Sequence, residues 1–246
     1  MRSGSTVQFQ IAARLVEDAG LGKRVEWVRP EDFAALRDKY ASYCGWKVFK
    51  THICTSPMVK EFEKSNARGL YIYRDLRDVI VSILRKTNTS FDKTFVENYL
   101  NTCMNQYLKW TGLPGVMVSR YEDFMVDLPG EVEKIASHLN IYLSRSECES
   151  IAMDYTLEKQ KDRIERYKCN LLKKKQGYEE PVFNPYTLLH HDHINSGSVG
   201  QWKGFLSAIQ VQFIEQISGG WLDSHGYKLM YPDLKHSQEG AVNGER

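Results

Sequence analysis

Short runs of aromatic and branched residues recur along the chain, each followed by a polar junction and then by apolar residues at helical spacing. The plainest run is Leu70-Tyr71-Ile72-Tyr73, which follows Arg68-Gly69 and reads as a buried strand. Beyond it, Asp75 caps a predicted helix, with Asp78 in its first turn and Ile80, Val81, Ile83 and Leu84 forming the apolar faces. Gly45-Trp46-Lys47-Val48-Phe49 is a second strand, ending in Lys50-Thr51-His52. Ser56-Pro57 then opens a helix holding Met58, Val59 and Phe62, with Ser56 as its cap. Val116-Met117-Val118-Ser119 is a third strand, and Val25-Glu26-Trp27-Val28 a shorter fourth.

Between these runs the period is helical. Val7, Phe9, Ile11, Ala12, Leu15 and Val16 mark an amphipathic helix that stops near Gly20-Leu21-Gly22. Further helices are predicted from Pro30 through Phe33, Leu36 and Tyr40, from Phe91 to Trp110, and after Leu128-Pro129-Gly130. Two more are expected from Ser144 to Met153 and from Ser207 to Ile217. The stretch from Thr156 to Gly177 is charge-rich and reads either as a solvated helix face or as a basic lid over an anionic ligand. Residues 179–195 read as a long loop with His190, His191 and His193, and no spacing there favours a metal site. Alternating strands and helices predict an α/β domain over residues 1–233, with a parallel sheet covered on both faces. A polar, disordered tail is expected over 234–246.

Composition narrows the partners. A hydrophobic content of 42% and a net charge of only +2 describe an ordinary globular chain without a global field for nucleic acid. Any anion site must therefore be built by local clustering. The five cysteines are scattered with neither a disulfide framework nor a zinc spacing, which predicts a reducing, cytoplasmic setting. No signal peptide and no run long enough to span a bilayer is apparent, so no membrane span is expected.

The candidate chemistry lies at strand ends, where open α/β sheets bind ligands. Arg74 stands at the carboxyl end of one strand, and Ser82 about two turns into the following helix. A guanidinium fork and a hydroxyl suit a phosphate, though Arg74 could equally pair with Asp75 or Asp78. Lys50 and His52 end another strand, and a histidine beside a lysine should lose its proton more readily, as suits a general base. Arg2-Ser3-Gly4-Ser5-Thr6, at a helix start, supplies backbone N–H groups and hydroxyls for an anion nest, without the lysine and glycine spacing of a Walker A loop.

Taken in order, these segments resemble the sulfotransferases that use 3′-phosphoadenosine 5′-phosphosulfate. Arg2-Ser3-Gly4-Ser5-Thr6 is similar to the family's 5′-phosphosulfate loop, and Lys50-Thr51-His52 to the segment that carries its catalytic base. Arg74 and Ser82 match the pair that holds the 3′-phosphate, and Tyr121-Glu122-Asp123 matches the segment whose tyrosine lies near the adenine. Gly197-Ser198-Val199-Gly200-Gln201-Trp202-Lys203 matches the family's late glycine-tryptophan signature, with Ser196 and Gly197 at the 3′-phosphate. The resemblance implies a three-layer sandwich around a central parallel sheet of the P-loop NTPase type. It also implies 3′-phosphoadenosine 5′-phosphosulfate as co-substrate without a metal, His52 as base, and Lys50 and Arg2 as neutralisers of the sulfuryl charge. The acceptor would be a small molecule, a glycan or a lipid. Three departures stand out: the family's first strand, upstream of Arg2, is missing, Val7 replaces a stacking tryptophan, and Asn195 and Ser196 replace a basic pair. They keep open a nucleotide-binding relative with impaired catalysis, and behind it a P-loop kinase.

Overall fold

The computed structural model describes residues 2–173, 184, 186–189 and 197–232. Its elements run α1 (Ser5–Asp18), β1 (Gly22–Trp27), α2 (Phe33–Lys39), β2 (Trp46–Lys50), α3 (Ser56–Glu63) and β3 (Gly69–Tyr73). There follow α4 (Leu76–Thr87), α5 (Lys93–Thr111), β4 (Val116–Arg120), α6 (Tyr121–Val126), α7 (Leu128–His138), α8 (Arg145–Met153), α9 (Leu157–Lys173) and α10 (Ala208–Ser224). The chain divides into two compact units: Ser3–Tyr73 with Leu108–Gly197 in the larger, and Arg2, Arg74–Tyr107 and 198–232 in the smaller.

The larger unit holds all four described strands. They form two parallel pairs, β1 with β2 and β3 with β4, in registers such as Lys23 opposite Lys47 and Ile72 opposite Ser119. Trp46 N donates to Leu21 O at 2.9 Å and Val28 N to Lys50 O at 2.8 Å, so alternate residues of β2 face β1. Lys47 and Phe49 therefore turn their backbone groups the other way. On β3, Gly69 N donates to Gly115 O at 2.9 Å, which turns Leu70 and Ile72 away from β4. The expected parallel sheet is thus present as two pairs with an interruption beside β2 and β3.

Helix α1 packs on β1, β2, β3 and α7. Ile11, Ala12, Leu15 and Val16 of α1 join Ile72, Phe124, Val132 and Ile135 in one core, with Trp46 and Val48 of β2 packed against it. Phe49, the next residue of β2, points instead into a second cluster with Phe33, Leu36 and Met58 of α2 and α3. Adjacent strand residues feeding opposite clusters are what a sheet covered on both faces requires. Each fully buried aliphatic side chain contributes about 1.5–3 kcal/mol against leaving it in water.

The smaller unit is helical. Asp75 caps α4 as predicted, accepting from Arg77 N at 2.9 Å. Two corrections concern helix ends. Ser56 is the first residue of α3, after Thr55, because Pro57 suits the first turn. The last helix runs seven residues past Ile217 to Ser224, through Gly219 and Gly220. Burial of Ser218, Gly219 and Leu222 overrides the glycine penalty there.

Candidate functional site

In the larger unit, the start of α1 collects several of the predicted side chains. Gly4 adopts φ 88° and precedes the helix, whose first turn contains no acidic residue. A β-carbon at Gly4 would lie 2.9 Å from Tyr121 Cδ2, so the chain turns directly against that ring. The Tyr121 hydroxyl donates to Gly197 O at 2.8 Å, tying that ring to the late glycine segment. Ser3 is buried and its Oγ donates to Ile72 O at 2.7 Å, which fixes the loop to β3. Lys50 is 8% exposed, and its Nζ donates to Thr6 Oγ1 at 2.7 Å. A strand-end ammonium therefore sits at the positive end of a helix dipole, an environment that favours an anion. Ser5, the first residue of α1, is half-buried.

His52 lies on the bend that follows β2, half-buried. Its carbonyl accepts from Trp110 Nε1 at 3.4 Å, so the indole anchors the backbone that carries the imidazole.

The smaller unit holds Arg2, Arg74 and Ser82. Arg74 is buried, and its Nη2 donates to Asp78 Oδ2 at 3.0 Å and to Ser198 O at 2.5 Å. The pairing with Asp78 that the sequence left open is therefore made, and it sets the plane of the guanidinium. Asp78, fully buried, also accepts from Gly200 N at 2.8 Å and Trp202 N at 3.0 Å. One carboxylate thus holds both the arginine and the turn of the glycine-tryptophan signature. Arg2 Nε donates to Ser82 Oγ at 3.0 Å. Burial lowers the pKa of Arg2, the Tyr99 phenol raises it, and neighbouring Arg74 lowers it again. Tyr99 in turn has its pKa raised, chiefly by burial. Arg77, one turn from Arg74, is locked between Asp75 at 2.8 Å and Glu215 at 2.6 Å, with its guanidinium 4.0 Å over the Trp202 ring.

The structure thus brings Ser3, Gly4, Thr6, Lys50, Tyr121 and Gly197 together in one unit, and Arg2, Arg74 and Ser82 in the other. Ser196 lies outside the described residues, as do the three loop histidines. Sequence reasoning missed Asp78 as an organiser of the Gly200 turn. Its only signal was an acidic residue in the first turn of α4, beside Leu76, Arg77 and Val79. Tyr99 had no signal at all. Among the described residues no group of three or more histidine, cysteine, aspartate or glutamate side chains is placed to hold a metal ion. No described helix is long and apolar enough to cross a membrane.

The sulfotransferase domain profile matches residues 22–226 of this chain, and the protein belongs to that family. Lys50, His52, Arg74, Ser82, Tyr121 and Gly197 fall within the matched segment, and Arg2–Thr6 precede it. Among named relatives, sulfotransferase 1C2 of Oryctolagus cuniculus is 22% identical over 209 residues, 78% of this chain and 67% of its own. The fold is that of mouse sulfotransferase SULT7A1 complexed with PAP, at a TM-score of 0.66 and 16% identity, over 89% of this chain and 80% of that one. Retinol dehydratase, in complex with androsterone and the inactive cofactor PAP, aligns at a TM-score of 0.61 and 19% identity, over 95% of this chain and 81% of its own.

Proposed function

We propose that this protein transfers the sulfuryl group of 3′-phosphoadenosine 5′-phosphosulfate to a hydroxyl or amine, with His52 as general base. The observation that carries the reading is the 2.7 Å bond from Lys50 Nζ to Thr6 Oγ1. It puts a buried cation at a helix start that has no acidic residue in its first turn.

Each unit by itself carries donors suited to an anionic group. The start of α1 offers Ser3, Gly4, Ser5, Thr6 and Lys50 to a 5′-phosphosulfate, and Arg74 and Ser82 offer a fork and a hydroxyl to a 3′-phosphate. Tyr121, fixed against Gly4 and bonded to Gly197 O, would lie beside the base; Ser196, which the family resemblance assigns to the 3′-phosphate, lies outside the described residues. When bound, the donor supplies an activated sulfuryl group. The protein's part is to hold the acceptor in line, take its proton on His52 and neutralise charge with fixed cations. Lys50 is the described residue best suited to that neutralisation. The acceptor is a small molecule, a glycan or a lipid head group. Retinol dehydratase, which shares this fold, has been crystallised in complex with androsterone and with retinol, which supports the small-molecule choice.

Thermal-shift measurements with 3′,5′-adenosine bisphosphate, ATP and buffer test the nucleotide half of the reading. Stabilisation by the bisphosphate but not by ATP is expected, since a ligand that binds the native state raises its stability. Transfer of labelled sulfate to an acceptor pool tests the catalytic half. The interruption of the sheet beside β2, the strand that carries Lys50, favours a second reading, a nucleotide-binding relative with impaired catalysis. Binding without transfer would select it, and no binding would remove both.

A further inference from the structure

In the larger unit, the amino ends of the strands hold a second concentration of positive charge, opposite the ends that carry Lys50 and His52. Lys23 is the second residue of β1 and Lys47 the second of β2, and Arg68 directly precedes β3. Lys23 and Lys47 are register partners, and Val25 and Phe49, two residues on, pack against one cluster, so both lysines share that face. Like charges side by side on neighbouring strands repel. Two tyrosines offset the repulsion by presenting their rings to the ammonium groups. Lys23 Nζ lies 4.5 Å from the centre of the Tyr40 ring and 4.2 Å from that of Tyr43. Lys39 Nζ joins Tyr40 at 5.4 Å, and Lys47 Nζ joins Tyr43 at 5.6 Å. We propose that this edge is a docking surface for an anionic phospholipid bilayer, with Lys23, Lys39, Lys47 and Arg68 as its cations.

No carboxylate neutralises this group. Among the described residues none of the four cations makes an ion pair. Asp38, beside Lys39, goes to Arg37 at 3.5 Å, and Glu61 of α3 goes to the same guanidinium at 3.9 Å. Lys47 Nζ donates to Tyr43 O at 2.9 Å, and Arg68 Nη1 donates to His138 O. Those bonds fix where the charges lie without cancelling them. Lys23 shares one ring with Lys39 and the other with Lys47, so neighbouring ammoniums stand within about 10 Å, close to one Debye length at physiological salt. An anionic surface is therefore felt by the lysines together. The chain's net charge of only +2 supplies no such field from elsewhere.

The groups interleaved with the cations favour lipid over other anionic partners. Leu21, directly before β1, is exposed, and Tyr40, Tyr43 and Trp46 are half-buried rings. The Arg68 guanidinium lies 6.0 Å over the Trp46 ring. Long cationic side chains laid along amphipathic rings suit a head-group layer, where the charged ends meet phosphate and the rings sit at the polar–apolar boundary. A single nucleic-acid strand needs rings free for stacking, and each tyrosine ring here already carries two ammoniums. Position along the strand separates this edge from the candidate site. Lys47 and Lys50 are three residues apart on β2, about 10 Å. A bilayer at the amino edge therefore lies at the far end of β2 from His52 and anchors the unit without occupying that site.

Co-sedimentation of the full chain with vesicles of phosphatidylcholine alone, and of phosphatidylcholine mixed with phosphatidylserine, tests the proposal. Binding is expected to the mixed vesicles only, and it should weaken as salt is raised. Each basic side chain near such a surface strengthens binding by about fivefold, so the Lys23→Gln/Lys39→Gln/Lys47→Gln variant should bind on the order of 100-fold more weakly. Lys134→Gln removes one charge from α7, where the lysine faces Glu131 at 3.5 Å, and should change binding by less than about twofold. A loss in Lys134→Gln as large as that for one lysine of the edge would mean that binding follows net charge, and would overturn the assignment. No binding to the mixed vesicles at low salt, or equal binding to both kinds, would overturn it as well. Retention on heparin that the triple variant loses, without vesicle binding, would give the edge to a sulfated glycan instead. Thermal unfolding checks that the triple variant keeps its fold. If it does not, Lys39→Gln alone, exposed in the last turn of α2, should still weaken vesicle binding by about fivefold, and unchanged binding in that variant would remove Lys39 and the proposal with it.

Discussion

Asp78 shows how one buried side chain can set the shape of a candidate site. Its two oxygens receive Arg74 Nη2, Gly200 N and Trp202 N, and the side chain is fully buried. Asp78→Asn keeps the size but turns an amide N–H toward donors and leaves Arg74 without its counter-charge. Breaking a buried ion pair from one side costs about 3–5 kcal/mol. We expect a loss of that order in urea unfolding, with bisphosphate affinity falling in the protein that remains folded. A midpoint within error of wild type would mean that Arg74 and the Gly200 turn hold their places without Asp78. His52 makes the complementary case, a residue whose removal should spare the fold. It is half-buried on a bend, and the described anchor of its backbone is the Trp110 indole on the His52 carbonyl, which alanine retains. His52→Ala should therefore keep bisphosphate binding while turnover drops about 10²–10⁴-fold, the usual weight of general-base catalysis. Near-normal turnover in that variant would take the base role away from His52.

At the scale of elements, the two ends of α1 provide a matched pair of glycines. Gly4 has φ 88° and would place a β-carbon 2.9 Å from the Tyr121 ring, whereas Gly20 has φ 67° with nothing within 4 Å of one. Gly20→Ala should cost only the left-handed backbone penalty, about 1–2 kcal/mol. Gly4→Ala should cost more, since Tyr121 must also move, and it should weaken nucleotide binding if the ring lies beside the base. Equal losses in thermal unfolding would show that the contact with Tyr121 yields freely. Such local geometry explains what was legible in the sequence. Asp75, Ser144 and Ser207 cap their helices through bonds to backbone two or three residues on, so a short window contains both partners. The strand ends carrying Lys50 and Arg74 were legible because apolar runs and polar junctions are equally local. The bonds from Asp78 to Gly200 and Trp202 span 122 and 124 residues, and nothing near Asp78 records them. Nor does a strand's own sequence name its neighbours. β2 and β3 read as good strands, yet only the fold shows that they are not paired with each other.

The whole molecule adds a pH dependence that has to be kept apart from catalysis. His138, in the last turn of α7, has its pKa lowered by burial and then by Arg68, against smaller upward pulls from hydrogen bonds with the Gly69 and Gly115 backbone. A histidine whose folded pKa is below its unfolded value near 6.5 binds its proton first in the unfolded chain. Its contribution to stability is complete above about pH 6.5 and is lost as pH falls through the folded value. One such group contributes a slope of at most about 1.4 kcal/mol per pH unit. Urea midpoints followed from pH 7.5 to pH 5 should therefore fall less steeply in His138→Gln than in wild type. Identical slopes would show that His138 titrates alike in both states. The acid limb of kcat/KM should behave differently. If His52 is the base, that limb follows protonation of His52 in folded enzyme and is unchanged in His138→Gln at temperatures well below unfolding. An acid limb that moved with the stability curve would instead mean that activity at low pH is lost by unfolding, and the pH profile would then carry no information about the base.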